Sequence, residues 1–165
     1  MELLWQELTA GLPGAEESWR IFIRLVAAMG LGAVVGFQRE RAGKPAGLRT
    51  HMLVAMGTAL FVMVCSSANM DLDGLSRVIQ GIATGIGFIG TGAILKQSDK
   101  LEVHGLTTAA GIWMTAAVGV GVGLGRIGIA IVGVILTWAV LSLLGYVEIR
   151  AEAAKANRAI RDRAS

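Results

Sequence analysis

Residues 78 to 95, VIQGIATGIGFIGTGAIL, run eighteen residues without a charge. As a helix rising about 1.5 Å per residue, the run reaches about 27 Å, close to the thickness of a bilayer's hydrocarbon core. It is therefore expected to cross a membrane. Gly85 to Gly90 within it spells GxGxxG. A dinucleotide-binding loop with that pattern needs a preceding strand, a following soluble helix and a ribose-binding acid about twenty residues on, and none accompanies it. The four-residue steps from Gly81 to Gly85 and from Ala83 to Gly87 suit close packing of helix backbones in lipid instead.

Composition carries the same reading to the whole chain. Of 165 residues, 54% are hydrophobic and 16% charged, and the mean hydropathy is +0.63, too apolar for a soluble domain of this length. Twenty-three glycines would weaken soluble helices but are at home in membrane helices. The Lys and Arg residues lie between apolar runs, as topology determinants do, so the pI near 9.5 does not point to nucleic acid. Cys65 is alone, which leaves no intrachain disulfide, and it reads as a small packed side chain.

The expected fold is an all-α membrane protein, a Gly-rich bundle of about five transmembrane helices over 21–37, 52–68, 78–95, 105–124 and 127–147. Residues 1–20 form an extracytoplasmic segment with a short amphipathic piece and Trp19 at an interface; no basic region precedes an apolar core, so it is not a cleaved signal peptide. Arg24 lies one turn into the first span, where it can snorkel to headgroups. The loop from Gln38 to His51 is broken by Gly43, Pro45 and Gly47, and the link from Asn69 to Arg77 is short and acidic. Residues 148–165 are a basic tail that either lies on anionic lipid or frays in solvent. One side of the spans receives Arg20, Arg77 and Arg126. The other receives Arg39, Arg41, Lys44, Arg49, Lys96, Lys100 and five basic residues of the tail. The second side is expected in the cytosol, with the N-terminus outside and the C-terminus inside.

Helix contacts are expected at Gly32 and Gly36, at Gly81, Gly85 and Gly87, and at Gly111, Gly119 and Gly123. The stripe Thr107, Gly111, Thr115, Gly119, Gly123 marks the fourth span as central. The fifth, rich in Ile, Val and Leu, is expected to face lipid, so that Val134 tolerates a large replacement. Gln80, Thr84, Thr91, Thr107, Thr108 and Thr115 are the polar groups at depth; none is ionisable, whereas ion pathways usually carry ionisable groups, and interhelical hydrogen bonds are their expected use.

The expected functional face is cytosolic and electropositive: Glu40, Lys44, Arg49, Thr50, His51 and His104, with Thr50 capping the second span and Arg49 and His51 at its positive end. Such a face suits phosphate, a lipid headgroup or an acidic partner, and Arg49 is expected to matter more than Gln80 or Thr91. An alternative is that these residues are ordinary positive-inside anchors. Two histidines without a carboxylate or cysteine cluster do not make a metal site. Asp71 and Asp73, on the outer side, either contact a cation such as Mg²⁺ or form a solvated turn with a carboxylate paired to Arg24 or Arg77. There is no phosphate loop, HExxH or nucleophile and base pair, so no enzyme and no cofactor is expected, with Mg²⁺ at most a ligand or signal.

Three segments, GKPAGLRTHMLV at 43–54, GIGFIGTGAILK at 85–96 and VHGLTTAAGIW at 103–113, closely resemble the MgtC/SapB family of bacterial membrane proteins. The resemblance covers roughly Arg24 to Gly125. The family's usual GLERE after the first span reads Gly36-Phe37-Gln38-Arg39-Glu40 here, so a family carboxylate is Gln38. The resemblance implies an inner-membrane protein linked to growth in low magnesium and, in pathogens, to survival inside macrophages. Its members look like regulators, with the F-type ATP synthase as a proposed partner; an ion transporter or channel is the alternative. Longer members add a cytosolic domain resembling the ACT fold. A homo-oligomer in the lipid bilayer is also expected, because five short spans offer more small-residue surface than one bundle needs.

Overall fold

The structure, a computed structural model, describes residues 1–9, 13–68, 70–95 and 105–143. Six helices run through them: α1 (Glu2–Thr9), α2 (Ala15–Arg41), α3 (Leu48–Ser67), α4 (Leu72–Leu95), α5 (Leu106–Gly123) and α6 (Ile127–Leu143). Helices α2 to α5 are each long and apolar enough to cross a membrane. The fold is an all-α membrane bundle.

Helix α2 exceeds the expected first span at both ends. Glu16 and Glu17 in its first turn and Arg39 and Arg41 in its last match the helix dipole, so polar sequence extends the helix instead of ending it. Glycine stops it: Gly43 has φ +64°, Gly43 N–H donates to the Glu40 carbonyl and Lys44 N–H to the Arg39 carbonyl, the bond pair of a Schellman turn. The same device closes α5, where Gly125 has φ +75°, its N–H reaches the Val122 carbonyl and Arg126 N–H reaches that of Gly121. Helix α4 begins six residues before the expected third span because Asp71 Oδ1 accepts the Gly74 N–H at 2.8 Å and caps it.

Helix α2 packs antiparallel on α3, and α5 touches α2, α3 and α4. A Cβ on Gly119 would strike Thr58 Oγ1 and the Ala55 carbonyl oxygen, and one on Gly123 would lie 2.8 Å from the Ala59 carbonyl oxygen. Only glycine allows α5 this close to α3, and α5 is the central helix. The main core cluster joins Ala28, Val35, Ala55, Ala59, Val118 and Val122 with Ala130 and Val134 of α6. Most of α6 faces outward through Ile129, Val132, Ile135, Leu136 and Val140. Val134, however, is 4% exposed, so the expectation that it tolerates a large side chain is corrected: it lies on the inner stripe with Ala130, four residues apart.

Helix α4 stands at the edge of the bundle, against α5 and part of α3. Gly90 meets Ala109 of α5, but a Cβ on Gly81, Gly85 or Gly87 would meet nothing within 4 Å. Those three glycines do not pack inside the chain as expected, because α4 turns Ile86 and Gly90 inward and its glycine steps outward. Residues 144–165, including the tail, lie outside the described residues.

Candidate functional site

At the end where α2 stops and α3 and α5 begin, α2 repeats an inward face at Gly32, Val35, Gly36 and Arg39, all buried, the i, i+3, i+4, i+7 spacing of one helix side. Gly32 and Gly36 have no side chain because α3 lies against them: a Cβ would come 2.5 Å from the His51 carbonyl oxygen and 2.8 Å from Leu48 Cα respectively. This contact carries His51 into the bundle. The expectation that His51 sits on an open face is corrected, since it is fully buried. Its Nδ1 lies 2.7 Å from Thr115 Oγ1, and Thr115 directs its hydroxyl hydrogen to the Gly111 carbonyl at 2.9 Å. A hydroxyl has one hydrogen, so His51 Nδ1 donates to Thr115. His51 Nε2 has no partner within hydrogen-bond geometry among the described residues. A Cβ on Gly111 would lie 3.7 Å from His51 Cε1, so this glycine makes room for the imidazole.

Arg39 is 4% exposed and donates from Nη2 to Thr108 Oγ1 at 3.1 Å, while its Nε has no partner among the described residues. In the sequence Arg39 stands out only as one of the basic residues that set topology. The usable signal was its place seven residues after Gly32 on the inward face. Among the described residues, Thr108 and Thr115 are thus the threonines that bond across helices. Thr84 and Thr91 instead donate to Gln80 and Gly87 carbonyls of their own helix.

Glu40 Oε2 accepts the Leu48 N–H at 2.8 Å. It, and not Thr50, caps α3: Gly47 is the N-cap and Thr50 already lies inside the helix. Lys44 and Arg49 are exposed, and neither side chain has a partner among the described residues. His104, expected beside them, lies outside the described residues, as do Lys96 and Lys100.

At the opposite end Arg24 donates to the Gly123 carbonyl at 3.1 Å, placing a cation on the negative end of α5. It borders a cleft of about 530 Å³ with Glu16, Glu17, Arg20, Ser66 and Ser67. Among the described residues the one ion pair is Arg20 to Glu16 at 2.7 Å; Asp71 and Asp73 pair with neither Arg24 nor Arg77. No described group of three or more His, Cys, Asp or Glu residues could hold a metal ion.

The outward side of α4 differs from that of α6. It presents Gln80, Gly81, Thr84, Gly85, Gly87, Thr91 and Gly92 together with two large residues, Phe88 and Ile89. Gln80 is exposed, and its carboxamide makes no hydrogen bond to the described residues. Beside it an apolar groove of about 450 Å³ runs between α3 and α4, lined by Thr58, Phe61, Gly81, Gly85, Ile86 and Ile89.

The MgtC family model matches residues 25–150. Protein SrpB of Synechococcus elongatus is 48% identical over 130 residues, 72% of this chain and 71% of SrpB. YhiD of Escherichia coli K12, described provisionally as a magnesium transporter, is 43% identical over 129 residues, 73% of this chain and 59% of YhiD. Protein MgtC of Salmonella typhimurium LT2 is 43% identical over 104 residues, 63% of this chain and 43% of that protein. No solved structure gives a significant match. The match spans the helices that build both the buried Arg39 and His51 cluster and the open face of α4, and the chain belongs to the MgtC family.

Proposed function

We propose that this protein is a multi-pass inner-membrane regulator in magnesium homeostasis that acts on a membrane partner, such as the F-type ATP synthase, and not an enzyme. In this reading the end carrying Lys44 and Arg49 faces the cytosol and Mg²⁺ is the signal. Its relatives named MgtC and YhiD support the magnesium link. The observation that carries the regulatory part is the outward face of α4. A face made for lipid is aliphatic, as α6's is; this one sets glycines, threonines and a glutamine beside Phe88 and Ile89, with an amide in the first half of the helix that lacks a partner among the described residues. Small residues let another helix approach closely, and a glutamine in lipid gains from a bond across that contact. A helix of a partner or of a second copy is the natural occupant.

The name carried by YhiD favours a second reading, magnesium transport. Mg²⁺ flux into proteoliposomes containing only this protein decides between them: flux at the protein-free background supports the regulator, and saturable uptake establishes the transporter. Gln80→Leu and Gly85→Leu should abolish support of growth in low magnesium at unchanged protein level. Growth that survives both changes removes α4 as the partner surface.

A further inference from the structure

Two helices begin at the same end of the bundle, and their N-termini are treated differently. Helix α3 receives a carboxylate, Glu40 Oε2 at 2.8 Å from Leu48 N. Helix α5 starts at Gly105 (φ +98°), which has no side chain, and no side chain among the described residues caps it. The first bond within α5 runs from Ala109 N–H to the Gly105 carbonyl, so the N–H groups of Leu106, Thr107 and Thr108 precede the helix ladder. A helix start of this kind attracts negative charge. Here it has the reverse: Arg39 bonds Thr108 in that first turn.

Arg39 is the independent observation. It is 96% buried, by its 4% exposure, and among the described residues it makes one neutral hydrogen bond, leaves Nε unpartnered and faces no carboxylate. A buried guanidinium is costly unless an anion answers it. We infer that the first turn of α5 and Arg39 together receive a phosphate group, one per chain, from the headgroup of an anionic phospholipid or from free phosphate. Phosphate fits better than a carboxylate because its several oxygens can meet backbone N–H groups and a guanidinium fork together. The setting fits as well. Exposed Arg41 lies 4.3 Å from the ring centre of exposed Phe37, a cation above an apolar ring at the level where a spanning helix leaves the hydrocarbon, and Lys44 and Arg49 add charge of the same sign. The inference does not depend on the partner reading, since it rests on Arg39 and the first turn of α5 and not on the outward side chains of α4.

The test uses the full chain in phosphatidylcholine nanodiscs. One arm adds phosphatidylglycerol, the other inorganic phosphate against chloride at equal ionic strength, with stoichiometry read by native mass spectrometry and binding by the shift in thermal midpoint. The expected result is one bound phosphate group per chain in at least one arm, retained at 0.3 M salt, to be tested at roughly twice physiological ionic strength, because buried charges are screened little. The arm that binds identifies the source. Arg39→Gln should weaken binding at least about tenfold, the scale of one charge-assisted contact, whereas the surface pair Arg41→Gln and Arg49→Gln should weaken it less. Since Arg39→Gln is a core change, its helical content is checked, and the salt test on the unmodified chain stands without it. Binding in neither arm, or binding that vanishes with salt or depends only on Arg41 and Arg49, overturns the site.

Discussion

Replacing Gly119 by alanine adds one methyl group to the most crowded contact of the bundle. A Cβ there overlaps Thr58 Oγ1 and the Ala55 carbonyl oxygen and sits 3.1 Å from the Ala55 carbonyl carbon. Thr58 cannot simply rotate away, because its one hydroxyl hydrogen is shared between the Val54 and Ala55 carbonyls, at 2.8 and 3.1 Å from Oγ1, and the Ala55 carbonyl is backbone. Helices α3 and α5 must therefore separate along a seam that includes Gly123 and Val62. Overpacking ordinarily costs about 1–3 kcal/mol; with backbone as the obstacle, about 3 kcal/mol is expected, more than a hundredfold in the unfolded population. Gly85→Ala, with nothing within 4 Å, should stay within about 0.5 kcal/mol in the monomer. Thr58→Ala placed on Gly119→Ala removes the nearest obstacle but not the carbonyl, so it should restore part of the loss, a coupling of about 0.5–3 kcal/mol. Unfolding equilibria of the monomeric protein in mild detergent, followed by helical circular dichroism, measure all three. Equal stability of Gly119→Ala and Gly85→Ala, or full rescue by Thr58→Ala, would refute the close approach of α5 to α3.

Thr115→Val keeps the shape of the residue but leaves His51 Nδ1 without an acceptor, and should destabilise by about 1–3 kcal/mol in the same assay; His51 at 0% exposure has no water to turn to. Glu40→Ala removes the acceptor at Leu48 N and should cost about 1 kcal/mol, with Thr50→Ala nearly silent; a larger effect at Thr50 would return the cap to that residue. In a Cys65→Ser background, cysteines at Glu17 and Asp73 should react with an impermeant thiol reagent from outside intact cells and one at Lys44 should not. The reverse pattern inverts the topology.

Charge-free runs and glycine steps were enough to establish an all-α membrane bundle, because a spanning helix must be apolar over its length whatever it packs against. The same local logic marked α5 as central. Helix ends are less legible: the charges flanking the first apolar run belong to α2, since acidic residues at its start and basic ones at its end suit the dipole. Which glycine stripe meets another helix was a question for tertiary structure. Gly81 to Gly85 and Gly119 to Gly123 have the same four-residue spacing, yet only the second pair touches α3, because spacing defines a face and rotation about the helix axis decides where it points. The buried site was hidden for a similar reason. Arg39 and His51 sit among loop-like charges in the sequence, and only the close α2 to α3 contact at Gly32 and Gly36 turns them inward, where Thr108 and Thr115, some sixty to seventy residues away in the chain, provide their hydrogen bonds.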